Sequence, residues 1–388
     1  MNVTISRHLE QLCLLSTKPL AIWFLSQLVG HIQFLTLHHH GGGLPSCIVA
    51  FAVTKRSVLS CDKNRAIFFT TDRGFLVPTL VAATQILNQP DVRTIADIFV
   101  FLVGFSEPEA DEIRREFRDQ PIIFQTSSPS RYSMPDEAVF RKTHVPPSAL
   151  ARLTVGRNIP EHYKHLTYFD GDIQIVGSIL DLISFDVPEG LILGATDRPY
   201  VKIPENDASA RTTRDYLECI GIKDPRDYFN SGVLSTTRDT WISLSDKALR
   251  YFLQHSDRCR FHDQSALNAI SVGHRLALSP RYNYVSTYAE CEAEDMISPA
   301  VIHFTGAQKP WFADSRPWRG RFKESYAAIL QAHPMLRDFP FMPDAEHMER
   351  TDRDGERAWK LLRLITPWRV PLRRRRIRRY LRETQFAV

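Results

Sequence analysis

The sequence predicts an α/β fold, a doubly wound sheet with flanking helices, followed by a basic amphipathic tail. Three observations lead there. From about residue 65 onward, short apolar, β-branched and aromatic runs alternate with stretches of helical periodicity. The residues richest in chemistry fall directly after those runs, where open α/β sheets bind their ligands. The composition of the 388 residues, 43% hydrophobic and 24% charged, excludes a collagen, a wholly disordered chain and a polytopic membrane protein.

Taken in order, residues 1–62 read as a poorly defined N-terminal extension. Within it, 19–37 (PLAIWFLSQLVGHIQFLTL) carries no Asp, Glu, Lys or Arg and nominally reaches the ~20 residues of a bilayer span. Gln27, His31 and Gln33 dilute it, so a loosely ordered extension is expected instead. His38-His39-His40 with the three following glycines reads as linker rather than metal site. A catalytic body spans 63–330. RAIFFTT (65–71) is a strand, 75–88 a helix with Pro78 in its first turn, and DIFVFLVG (97–104) a second strand. The helix 106–117 opens on Ser106 with Glu109 three residues later, the pattern of a capping box. PIIFQ (121–125) is a third strand and 147–158 a helix. HLTYF (165–169), LILGAT (191–196), YFNSGVLSTT (228–237) and VIHFTG (301–306) are further strands, with helices near 239–255 and 263–271. Residues 331–388 form a C-terminal extension. The six cysteines are scattered and read as reduced thiols.

No dinucleotide fingerprint, P-loop, nucleophile elbow or H-E-x-x-H occurs. Asp170-Gly171-Asp172 places two carboxylates two residues apart at a strand end, with Gly171 expected to admit a ligand close to the backbone. Two such carboxylates stay ionised together most naturally around a divalent cation. A second D-x-D, Asp352-Arg353-Asp354, lies in a polar helical stretch and reads as a solvated face. In VIHFTGAQKPW (301–311), His303 sits inside an apolar strand and Lys309 precedes a rigid Pro-Trp corner. Two carboxylates with an imidazole suit Mn²⁺ better than Mg²⁺, and Lys309 suits a phosphate. Taken alone, His303 reads more readily as a core histidine and Lys309 as a surface loop residue. Asp263, at a helix start, reads equally as an N-cap.

The blocks AIFFTTDRGF, LTYFDGDIQIVGSI, YFNSGVL, DQSALN and IHFTGAQKPW, in this order, resemble glycosyltransferase family 8 over about 65–325. The resemblance implies a GT-A-type mixed sheet, a UDP-hexose donor (UDP-galactose or UDP-glucose), a glycan acceptor of lipopolysaccharide type, a retaining transfer and Mn²⁺ or another divalent cation. By matching positions it implies that Thr70, Thr71, Asp72 and Phe75 hold the nucleotide, and that Arg152 contacts the donor. Asp170, Asp172 and His303 are the implied metal ligands, with Asp170 and Gly171 also beside the donor. Asn230, Asp263 and Gln264 surround the transferred sugar, and Gly306 and Lys309 the diphosphate. Arg73, Gly74 and Ser265 depart from the family pattern, which raises the alternative of a catalytically degenerate, membrane-bound glycan- or partner-binding module.

Charge is unevenly placed. Residues 359–388 hold ten Lys/Arg against one acid, whereas 61–358 carry a net −7. Trp359, Trp368, Leu372, Ile377, Tyr380 and Leu381 are interleaved with those basic residues, which suits an anionic membrane surface and gives little advantage on nucleic acid. The expectation is a protein held peripherally on the cytoplasmic face of a membrane by a separable tail. Its deletion is expected to leave donor hydrolysis intact.

Overall fold

The computed structural model describes residues 63–128 and 150–388. The expectations for the extension through residue 62 and for residues 147–149 lie outside them.

Among the described residues ten strands form two sheets: β1 (Arg65–Thr71), β2 (Ala96–Val103), β3 (Ile122–Ser127), β4 (His165–Phe169), β5 (Ile173–Ile175), β6 (Ile192–Thr196), β7 (Phe229–Thr237), β8 (Arg275–Ala277), β9 (Tyr284–Val285) and β10 (Val301–His303). The larger sheet runs β3-β2-β1-β4-β7-β6-β8, the smaller β5-β10-β9. β1, β2, β3 and β4 pair in parallel, β7 runs antiparallel to both β4 and β6, and β6 and β8 are parallel. This is the mixed, parallel-rich GT-A-type sheet that the sequence led us to expect.

The sheet is buried on both faces, which explains near-continuous apolar strands. Along β1 the side chains alternate. Ala66 and Phe68 pack with Tyr168 and with Trp241 of the helix Arg238–Gln254, while Ile67 and Phe69 pack with the helix Leu76–Leu87 on the other face. Ser106 and Glu109 form the expected capping box at the helix Glu107–Glu116. The strand read at 301–306 stops at His303, and Gly306 (φ 93°) turns the chain.

One consequence of this topology builds the site. β1, β4 and β6 all end at the same edge of the sheet, and because β7 runs the opposite way its first residues lie there too, with Thr196 opposite Phe229 and Phe169 opposite Val233.

The C-terminal segment differs from expectation. Residues Arg369–Glu383 form a helix that is docked on the body, not a separable tail. The 3.6-residue period puts Val370, Arg373, Ile377 and Tyr380 on one buried face. Arg373 pairs with Glu205 (2.5 and 3.1 Å) and Glu290 (3.4 Å), and Arg369 with Glu205 (3.2 Å) and Asp207 (2.9 Å). Beyond the helix, Ala387 donates to the Ala277 carbonyl (3.0 Å) and Ser279 to that of Val388 (3.1 Å), so the chain end adds to the β8 edge. An acidic body and a basic tail attract, and here the attraction is spent within the molecule. Asp352 likewise is not merely solvated: it accepts from the amides of Asp314 (2.9 Å) and Ser315 (2.8 Å).

Candidate active site

The strand ends open into a cleft of about 1250 Å³. Every candidate residue lines it: Thr70 and Thr71 at the end of β1 with Asp72 and Phe75 after it; Asp170, Gly171 and Asp172 after β4; Asn230 in β7; Arg152; Asp263 and Gln264; and His303, Gly306 and Lys309. The C-terminal segment contributes Trp359, Leu361, Arg363, Arg369 and Arg373 to its wall.

At its floor Asp170 Oδ1 accepts from the Tyr168 hydroxyl (2.6 Å) and pairs with Arg152 (2.9 Å), leaving Oδ2 turned toward His303 Nε2 at 3.6 Å. Asp172 Oδ1 lies 3.2 Å from the same nitrogen, and its Oδ2 2.5 Å from Lys309 Nζ. Burial pushes the Asp172 carboxyl up, but the charges of Lys309 and His303 override it and hold it well below the usual carboxylate range. The ligand atoms of Asp170, Asp172 and His303 all lie within 4.8 Å of one another.

The hydrogen bonds assign the imidazole. Asn230 Oδ1 accepts from the Gly232 amide (2.9 Å), an obligate donor, so Asn283 Nδ2 donates to that oxygen (3.0 Å) and Asn283 Oδ1 is left to accept from His303 Nδ1 (2.9 Å). With Nδ1 donating to Asn283, the neutral form of His303 turns the Nε2 lone pair toward two carboxylates. Lone pair and anions repel unless a proton or a cation sits among them, and two carboxylates with an outward-facing imidazole are the donor set of a divalent cation. The group fits.

Two glycines are required by close approach. A Cβ on Gly232 would lie 2.1 Å from His303 Cε1 and 2.8 Å from Asp170 Oδ2. A Cβ on Gly171 would lie 2.3 Å from Thr79 Oγ1, so on that side this glycine admits the neighbouring helix to the backbone, and the residue also lines the cleft.

Arg152 is buried between Asp170 and Asp263, 2.9 Å from each, with its guanidinium 4.5 Å from the Tyr168 ring centroid. Asp263 is not an N-cap: Phe261 holds that position, and Asp263 is buried in the first turn of the helix His262–Ile270. Burial raises its carboxyl to about 6 against the pull of Arg152, which is shared with Asp170. The departures have structural reasons. Arg73 turns out of the cleft to Glu109 (2.6 and 2.9 Å) and the Gly104 carbonyl (2.9 Å), and Ser265 Oγ binds the Tyr216 hydroxyl (2.7 Å) and accepts from the Phe261 amide (2.8 Å). Neither residue touches the carboxylate–histidine group.

Asn283, Gly232, Ser231 and Asp197 were missed. Asp197 alone had a legible signal, since it directly follows the strand LILGAT as Asp170 follows HLTYF.

The model of glycosyl transferase family 8 matches residues 66–315. General stress protein A of Bacillus subtilis is 26% identical over 221 residues, 52% of this chain and 71% of that one. The lipopolysaccharide 1,2-glucosyltransferase of Escherichia coli is 28% identical over 204 residues, 43% of this chain and just over half (57%) of that relative. Among solved structures, the galactosyltransferase LgtC with donor and acceptor sugar analogues superposes with a TM-score of 0.55 at 20% identity, covering 72% of this chain and 98% of that one. The active-site variant Q189E of LgtC superposes at 0.56 and 21%, covering 68% and 95%. At such identity these two structures establish the fold alone.

Proposed function

This chain belongs to glycosyl transferase family 8, and on that premise we propose that it moves a hexose, galactose or glucose, from a UDP-sugar to a glycan acceptor of lipopolysaccharide type with retention at the anomeric carbon. The observation that carries the reading is the Asp170–Asp172–His303 group at the floor of a cleft that also holds Lys309 and Arg152. Asp170, Asp172 and His303 hold Mn²⁺ or another divalent cation, which when bound supplies positive charge to the diphosphate. Lys309 adds a placed ammonium on the same side. Thr70, Thr71, Asp72 and Phe75, with Gly171 and Gly306, form the nucleotide and diphosphate walls, and Asn230 and Asp263 face the sugar hydroxyls.

The two carboxylates proposed beside the donor are both engaged, Asp263 with Arg152 and Asp170 with Arg152 and Tyr168. Same-face displacement fits this better. The acceptor oxygen bonds to the anomeric carbon as the bond to UDP breaks, and the acceptor proton passes to the departing phosphate oxygen.

We also infer a peripheral position on the cytoplasmic face of a membrane. Among the described residues no helix is long and apolar enough to cross one. The docked C-terminal helix supports peripheral contact, because its outer face carries Arg375, Arg378, Arg379 and Arg382 and continues into Leu361, Leu364, Ile365 and Trp368, which are 52–69% exposed beside the cleft mouth. That combination matches an anionic bilayer surface. A thermal-shift panel of UDP-sugars with Mn²⁺ tests the donor: stabilisation by UDP-galactose or UDP-glucose that depends on metal is expected. Response to neither donor would overturn the reading.

A further inference from the structure

Gln264 is held at both ends. Its Oε1 accepts from the Ser231 amide (3.0 Å), with Asn230 Nδ2 and Ser231 Oγ each at 3.3 Å. Its Nε2 donates to Asp197 Oδ2 (3.0 Å) and to the Tyr228 hydroxyl (2.9 Å). This orientation is forced. Turning the amide over would set its NH₂ against the Ser231 N–H and its oxygen against a carboxylate, donor on donor and acceptor on acceptor. An amide oxygen has two lone pairs, and three donors already crowd them. Gln264 thus has neither a free lone pair nor a free N–H to offer a sugar.

Asp197 is what makes the arrangement single-valued. It follows β6 and lines the cleft; Oδ1 accepts from the Arg198 amide (2.7 Å) and Oδ2 from Gln264. We propose that Asp197 is a positioning residue of the transfer site: its carboxylate locks the Gln264 amide and, through it, the Asn230–Ser231 start of β7 that lies against the transferred sugar. The consequence for catalysis rests on the transferase reading above, whereas the lock is a property of the folded chain alone. The groups facing the pair are the Tyr228 hydroxyl, just before β7, the Tyr216 hydroxyl 3.1 Å behind it from the helix Ala208–Cys219, and the Arg198 backbone. Burial pushes both phenols well above their ordinary value, so neither contributes charge.

The test is Gln264→Glu in the full chain. The substitution conserves shape and sets a carboxyl against Asp197, and two such groups share one proton. While protonated, the new carboxyl donates to Asp197 as the amide did. Its pKa is raised in the folded state, so the folded protein holds a proton that the unfolded chain releases, and stability falls as pH rises. The melting temperature of Q264E, taken relative to wild type, is expected to hold at about pH 5 and to drop progressively toward about pH 8. The double variant Q264E/D197N, in which the asparagine NH₂ donates to the carboxylate, is expected to show no such slope. Asp197→Ala, which removes both acceptors, is expected to lower kcat by roughly tenfold or more with less effect on KM for the donor. A melting difference that is independent of pH, or one that Asp197→Asn leaves unchanged, overturns the lock. If the melting series behaves as described and wild type transfers no hexose, the lock stands and the transferase reading falls.

Discussion

Replacing Glu205 by alanine removes the acid on which the C-terminal helix converges. Its side chain is 7% exposed and that of Arg373 5% exposed, with Arg369 at 3.2 Å and Arg376 at 3.9 Å as further partners. Deleting one member of a buried pair leaves the other charge uncompensated and costs about 3–5 kcal/mol. At roughly 2 °C per kcal/mol for a body of this size, the melting temperature is expected to fall by about 6–10 °C. The assay is thermal denaturation of the full chain followed by circular dichroism, run with Arg373→Ala and the double variant. Because either single substitution already breaks the pair, the double variant is expected to lose clearly less than the sum of the two. Since Glu205, Arg369 and Arg373 also line the cleft, donor turnover is expected to fall with stability. A shift below about 1 °C for both single variants, with turnover unchanged, would refute the docked helix and restore a separable tail.

Gly232→Ala drives a methyl into His303 and Asp170; a displacement near 1 Å there is expected to cost ~100-fold or more in transfer while circular dichroism stays native. With chelator present, the buried Asp263 carboxyl binds its proton more tightly folded than unfolded, so this group makes stability fall as pH rises from about 4 to about 6. Asp263→Asn removes that portion of the pH slope in a melting series. Substituting Arg375, Arg378 and Arg382 by glutamine removes ~3 kcal/mol of attraction to anionic vesicles, roughly a hundredfold in partitioning, and leaves hydrolysis of the donor in solution unchanged, as flotation and UDP release measure.

What was legible followed from local physics. The short apolar and aromatic runs of β1, β2 and β4 and the capping box at Ser106 are set within a few residues, and strand-end placement drew attention to Asp170. What was not legible depends on pairings far apart in the chain. The imidazole is oriented by Asn283, which no local pattern connects to Asn230 or His303, and Gly232 is needed for a neighbour 71 residues downstream. Gly171 was singled out for the approach of a ligand, whereas the crowding that requires a glycine comes from Thr79, on a helix that sequence alone does not dock. The tail was misjudged as separable because its excess of positive charge was visible, whereas the burial and paired geometry of Glu205 were not.

The central claim is that Asp170, Asp172 and His303 make donor chemistry depend on a divalent cation. Release of UDP from UDP-galactose and UDP-glucose, measured with and without Mn²⁺ on wild type and on Asp170→Ala, addresses it directly. The account predicts metal-dependent release from at least one donor in wild type and none above background in the variant. Release that proceeds equally in chelator, or that survives Asp170→Ala, would contradict it.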